Sequence, residues 1–168
     1  SDHGSHFMTR NRDAHLNGYD DYKRSCHDAC LHVPLVICGP GFEGGKRISE
    51  LVSTASLPKT ILAMASIDVG DQMIGENLQT VVDGKIQNRP NRIFAQISES
   101  RVGRCIRTAD YLYSVYAPGV HGGEVMDSDL YEDDFLYDLK ADPAQLHNCV
   151  ADPRYQKIKE DLRAQLIE

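Results

Sequence analysis

The chain has 168 residues, 41% hydrophobic and 26% charged, the composition of an ordinary globular protein long enough to bury a real core. Its formal net charge is −7 and it has no long Lys/Arg run, so the basic stripe that nucleic acid binding needs is missing. No stretch reaches the roughly 18 to 20 consecutive apolar residues of a membrane-spanning helix.

The five cysteines, Cys26, Cys30, Cys38, Cys105 and Cys149, are an odd number and too sparse for a disulfide scaffold. They suit a reducing compartment better than an oxidising one, and the compartment of this soluble chain is otherwise left open. A small anionic substrate is compatible with the acidic balance, because a local group of cations and a metal reverses the sign inside a pocket.

In chain order, Ser1-Asp2-His3-Gly4 reads like the interior of a domain rather than a natural beginning, so the lack of a targeting signal carries no weight. Residues 5–24 are polar, aperiodic and contain Gly18, which predicts a long irregular loop of the kind that is often functional. Residues 33–38 (Val-Pro-Leu-Val-Ile-Cys) form a short continuous apolar run, predicting a strand buried on both faces and ended by Gly39-Pro40-Gly41. A helix is predicted over 57–66, with Leu57, Ile61, Leu62 and Ala65 on one side, Ser56 as its cap and Pro58 in its first turn. Residues 70–91 read as a polar connection broken by Gly75, Gly84 and Pro90.

Beyond that connection the period changes to two, and strands are predicted at 92–97, 104–108, 111–116 and 135–139. Residues 119–134 form an acidic, glycine-containing loop, in which Asp127, Asp129, Glu132, Asp133 and Asp134 read as solvated. Asp152-Pro153 opens a final helix whose stripe is Tyr155, Ile158, Leu162 and Leu166. The fold class is α/β: a buried strand and its helix come first. A small antiparallel sheet with a C-terminal helix follows, which makes the second half α+β.

Two places carry candidate chemistry. Adjacent Asp2 and His3 can both face a metal, with Gly4 letting the backbone turn away, although alone such a dipeptide reads as a surface turn. Lys23 alone reads as a solvated surface residue; what distinguishes it is company, with Asp2-His3 upstream and the apolar run beginning at Pro34 downstream. The cluster Cys26-His27, Cys30, His32 invites a zinc reading, but its spacing does not follow the usual paired pattern.

Together these segments resemble the sulfatases of the alkaline phosphatase superfamily. In that family a strand ends in Ser-Asp-(His or Asn)-Gly, a loop follows, and a lysine precedes a Val-Pro-Leu-(Ile or Val)-Ile strand. The matching pieces are Ser1-Asp2-His3-Gly4, then Lys23, then Val33-Pro34-Leu35-Val36-Ile37. Further matches are Leu51-Val52-Ser53 through Pro58-Lys59-Thr60-Ile61-Leu62, Met73-Ile74-Gly75, Arg107-Thr108 before Tyr111-Leu112-Tyr113, and Leu136-Tyr137-Asp138-Leu139 before Asp142-Pro143 and Asn148.

The resemblance implies that residues 1–91 are the C-terminal portion of an alkaline-phosphatase-like α/β catalytic domain, and 92–168 a small antiparallel β subdomain with a C-terminal helix. It implies Asp2 and His3 as metal ligands and Lys23 as a catalytic, sulfate-holding residue. His27 is a candidate substrate contact, Asp28 a buried hydrogen-bonding residue, and His6 and Arg10 lie in the pocket loop. The implied metal is a divalent cation, Ca2+ first; a nitrogen ligand such as His3 raises Mn2+ or Zn2+.

The implied nucleophile is a formylglycine made from Cys or Ser in a Cys/Ser-x-Pro/Ala-x-Arg motif. Here only Cys38-Gly39-Pro40-Gly41-Phe42 comes near, with Phe42 where Arg is required and in the wrong place in the family's order. The nucleophile is therefore expected outside this chain, which alone should be inactive. The expected partners are a small-molecule sulfate ester and the N-terminal part of the same protein. Self-association is a further expectation, through an apolar face that a missing layer leaves open.

Overall fold

The computed structural model describes residues 1–5, 23–68, 70–99 and 101–167. Most of the loop expected at 5–24, with its candidates His6 and Arg10, lies outside the described residues. Contacts divide the chain into two compact units, one of residues 1–34 with 94–168 and one of residues 35–93.

The first unit is built on a four-stranded sheet in sequential order, β1 (Arg92–Ser98), β2 (Val102–Thr108), β3 (Tyr111–Tyr116) and β4 (Glu132–Asp138). β2 pairs antiparallel with β3, which pairs antiparallel with β4, as the period-two pattern predicts. The register sets Tyr113 beside Ile106 and Leu136, and Leu112 beside Arg107 and Tyr137. Side chains alternate between two faces, and both are covered.

On one face Val102, Ile106, Tyr113, Val115 and Leu136 pack with α4 (Gln156–Ile167) through Leu162, with Tyr155, Ile158 and Leu166 against the same cluster. This is the stripe expected at helical spacing. Asp152 starts the helix by accepting from the Arg154 N–H at 2.9 Å, with Pro153 in the 3-10 turn Pro153–Tyr155. On the other face Ile97, Cys105, Leu112, Phe135 and Tyr137 enclose Cys26, with Leu31 against them. Leu31 belongs to α1 (Asp28–Leu31), a single turn with no sequence signal long enough to see.

Of the acidic group expected as a solvated loop, Asp127 and Asp129 are exposed outside the strands as expected, and the other three differ. Glu132, Asp133 and Asp134 belong to β4, which bulges opposite Ser114 and Val115. Asp134 pairs with Arg101. Asp133 accepts from Lys159 Nζ at 2.8 Å, Arg163 Nη1 at 3.0 Å and the Tyr113 hydroxyl at 2.5 Å, which ties α4 to the sheet. The Asp133 charge is structural because α4 brings two cations to it from a distant part of the chain.

Burial pushes the Asp133 carboxyl up, but hydrogen bonds from Lys159 and Tyr113 and the charges of Lys159 and Arg163 outweigh it and hold the group below the usual carboxylate range. A carboxyl depressed in the folded state adds stability above its unfolded value, and that stability is lost as pH falls through the folded value. Asp133→Asn is expected to cost about 1–3 kcal/mol near neutrality. The gap to the parent should shrink as pH drops below about 4. Urea unfolding at several pH values checks this; an equal gap at low and neutral pH would rule out the ion pairs as its source.

The second unit contains a 3-10 turn (Thr54–Ser56), α2 (Leu57–Met64) and α3 (Leu78–Val82). α2 begins where expected, with Pro58 in its first turn. Ser56 does not cap it; its hydroxyl accepts from the Glu76 N–H at 3.2 Å, and Ser53 accepts from Ala55 at the head of the 3-10 turn. Thr60, buried, donates to the Ser56 carbonyl at 2.7 Å and accepts from the Leu78 N–H at 3.0 Å, pinning α3 to α2. α3 falls inside the stretch expected to be a polar connection, and Asn77 caps it. Five residues carry too little periodicity to stand out, and the Thr60 contact that holds them comes from elsewhere in the chain.

The strand expected at 33–38 is not formed. These residues have no regular structure, Leu35 is exposed and Val36 is 92% exposed. An apolar run records a capacity for burial, whereas a strand needs neighbours to complete its ladder. Among the described residues no helix is long and apolar enough to cross a membrane.

Candidate functional site

Ser1, Asp2 and His3 are exposed, and with the half-buried Gly4 they make a turn stitched by local hydrogen bonds. The Ser1 hydroxyl donates to the His3 carbonyl at 2.7 Å, and His3 Nδ1 sits 2.7 Å from the Gly4 carbonyl oxygen. A carbonyl only accepts, so Nδ1 donates there, which orients the ring with Nε2 toward Asp2. Nε2 faces Asp2 Oδ2 at 3.7 Å. A carboxylate oxygen and an imidazole nitrogen on adjacent residues are donor types that a divalent cation accepts. Hydrogen bonds from its own N–H and that of His3, and His3 beside it, hold the Asp2 carboxyl below the usual range. The donor set fits a divalent metal as part of a shell. Among the described residues no group of three or more His, Cys, Asp or Glu side chains is placed to hold a metal.

The turn is anchored at Gly4. Its N–H donates to the Cys30 carbonyl at 2.7 Å, and a Cβ at this position would sit 2.1 Å from the Ala29 carbonyl oxygen. Only glycine lets the Asp2-His3 pair lie this close to α1.

Lys23 is half-buried and leads into the same helix. Arg24 pairs with Glu99 at 2.5 Å, while Ser25 and Cys26 are buried. His27 is packed into the sheet's second face: its ring lies 4.3 Å from that of Phe135, its Nε2 is 3.2 Å from the Tyr137 hydroxyl, and its Nδ1 meets the Ser25 hydroxyl. Asp28, expected as a buried hydrogen-bonding residue, is half-buried and holds Arg107 in a two-pronged pair, Nε to Oδ1 at 3.3 Å and Nη2 to Oδ2 at 3.1 Å. Its N–H donates to Gln145 Oε1 at 3.1 Å.

Arg107, Tyr137 and Gln145 are the residues to which sequence reasoning assigned no role. Arg107 and Tyr137 stood inside stretches that carried the family resemblance, but nothing in the spacing paired them with residues 27 and 28.

The zinc reading at Cys26, His27, Cys30 and His32 finds no support. Cys26 and Cys30 are buried, and Cys26 hydrogen-bonds with Cys105 inside the core. That contact and burial push the Cys105 thiol well above its ordinary value, which marks an inert packing residue. Cys38, by contrast, is exposed in a turn where Gly39 and Gly41 have φ of +146° and +82°.

The family model for the C-terminal region of N-sulphoglucosamine sulphohydrolase matches residues 17–168. The chain belongs to this sulfatase family. It is 29% identical over 151 residues to the delta 4,5-hexuronate-2-O-sulfatase of Bacteroides thetaiotaomicron, covering 84% of this chain and 29% of that protein. It is 28% identical over 137 residues to human arylsulfatase K, covering 76% of this chain and 24% of the relative. A crystal structure from Bacteroides thetaiotaomicron VPI-5482 with a provisional sulfatase designation superposes with a TM-score of 0.65 at 27% identity, over 84% of this chain and 30% of the other. The chain thus spans under a third of the length of these relatives.

Proposed function

We propose that this sulfatase segment supplies part of the active site of a parent enzyme that hydrolyses a small-molecule sulfate ester to an alcohol and inorganic sulfate. In this reading Asp2 and His3 are metal ligands and Lys23 holds the sulfate. The observation that supports it best is the hydrogen bond from Gly4 to Cys30, which sets the Asp2-His3 turn against the helix that Lys23 leads into. The division at residue 91 belongs to the same proposal, with residues 1–91 completing a catalytic α/β domain and 92–168 forming the small subdomain.

The chemistry suits these residues. A bound divalent cation would polarise the sulfuryl oxygens. Asp2 contributes a carboxylate oxygen, and His3 the Nε2 of a ring oriented by the Nδ1 hydrogen bond to Gly4. Lys23, a compact point charge, binds a sulfate oxygen and steadies the negative charge that grows on the leaving oxygen. His27 is the remaining candidate substrate contact, on a ring that Tyr137 and Phe135 hold in place. The nucleophile, a formylglycine by family resemblance, comes from the rest of the parent. The exposed apolar side chains Val36, Ile61 and Ile74 support the expectation that more of the parent covers residues 35–93.

His3 favours a second reading, because a nitrogen ligand suits Mn2+ or Zn2+ better than Ca2+, and with those metals a phosphoesterase or phosphonate monoester hydrolase. Assays of the intact parent with aryl sulfate and aryl phosphate, against added Ca2+, Mn2+ or Zn2+, separate the two. Release of sulfate that a chelator abolishes is the expected result. Turnover of the phosphate ester alone would overturn the sulfatase reading.

A further inference from the structure

We infer that Arg107 is a positioning residue for the sulfate site, acting through Asp28 to hold α1 where it serves both Lys23 and the Asp2-His3 pair. The inference rests on the sulfatase reading of those three residues and extends it to a side chain on the sheet. Arg107 lies on β2, its side chain is 15% exposed, and it grips both oxygens of Asp28. The same guanidinium donates to the carbonyls of Thr108 and, at 3.3 Å, of Ala109, so its fork is fixed before it meets the carboxylate. Gln145 reaches α1 beside it, through the Asp28 N–H. The helix is therefore clasped at its first residue by a strand and a loop that are distant in sequence.

At its other end α1 presents the Cys30 carbonyl to Gly4. A four-residue helix has little stability of its own, so its position is set by what holds it. With the clasp intact, the Asp2-His3 turn and the segment leading back to Lys23 share one frame. Without it, the frame shifts as a unit and both the metal pair and the lysine move. A displacement of about 1 Å in a catalytic group is enough to cost one to two orders of magnitude in rate.

The test uses the intact parent with aryl sulfate, and measures kcat, KM, metal affinity by chelator competition, and Tm for each variant. Arg107→Gln is expected to lower kcat about tenfold and to weaken metal binding about tenfold, while the protein stays folded at the assay temperature. Arg107→Lys, which keeps the charge and loses the fork, should recover only part of each. Asp28→Asn combined with Arg107→Gln should be no worse than the more severe single change, since both act through one contact.

A folded Arg107→Gln enzyme with unchanged kcat and metal affinity, lowered only in Tm, would overturn the inference. Should that variant fail to fold, Gln145→Ala takes its place: a joint fall in kcat and metal affinity supports the inference, and no change in either overturns it. If the unmodified parent cleaves no sulfate ester, the sulfatase reading fails by itself, and the metal-affinity arm alone decides whether Arg107 positions the pair.

Discussion

Lys23→Ala in the intact parent is expected to lower kcat with a sulfate ester by about 10²–10³, the effect of deleting one preorganised group that meets charge growing in the transition state. Lys23 is half-buried and is not among the residues that make the core of the sheet, so the fold should tolerate the change to within about 0.5 kcal/mol. Arg at this position restores the charge in a planar, bulkier form that a site built for a point charge accommodates poorly, so Lys23→Arg should recover little. Steady-state kinetics with circular dichroism as the folding control checks both. A Lys23→Ala enzyme with near-normal kcat would remove the lysine from the site.

Gly4→Ala carries the second large effect, although Gly4 has no side chain to ligate a metal or bind substrate. The added methyl would stand 2.1 Å from the Ala29 carbonyl oxygen, 3.0 Å from the Ala29 carbonyl carbon and 3.3 Å from the Cys30 Cα. All three are backbone atoms, so no side chain can swing aside and the turn itself must move off α1. That breaks the Gly4–Cys30 hydrogen bond and carries the Asp2-His3 pair with it. Stability should fall by about 1–3 kcal/mol, and metal affinity in the intact parent by about a hundredfold. Chelator competition and thermal unfolding read the two effects separately. Wild-type metal affinity in a folded Gly4→Ala protein would show that the pair needs no support from α1.

The candidate site was legible in the sequence as separate pieces. Asp2, His3 and Lys23 were visible because short motifs with fixed order and spacing carried a family resemblance, and the residue types matched the chemistry of an anionic ester and a cation. Asp28 was rightly expected to hydrogen-bond, yet its partner was not legible. Arg107 is separated from it by 79 positions, and no local pattern reports a contact that the chain makes only after the sheet has formed. The acidic residues at 133 and 134 show the same limit. A run of carboxylates reads as solvated until Arg101, Lys159 and Arg163 are brought to it from other elements.

Sequence alone determined the elements whose pattern is local and long enough to repeat: the four strands by period two, the final helix by its 3.6-residue stripe, and α2 by its proline and apolar side. Tertiary structure decided the rest. It folded one turn at 28–31 by clasping it from the sheet, pinned α3 through a single threonine, and left residues 33–38 without the neighbours a strand requires. The division has one physical cause. Periodicity is written residue by residue, whereas a short helix or a lone strand has too few internal hydrogen bonds to offset its ordering entropy, and it takes whatever shape its distant partners hold.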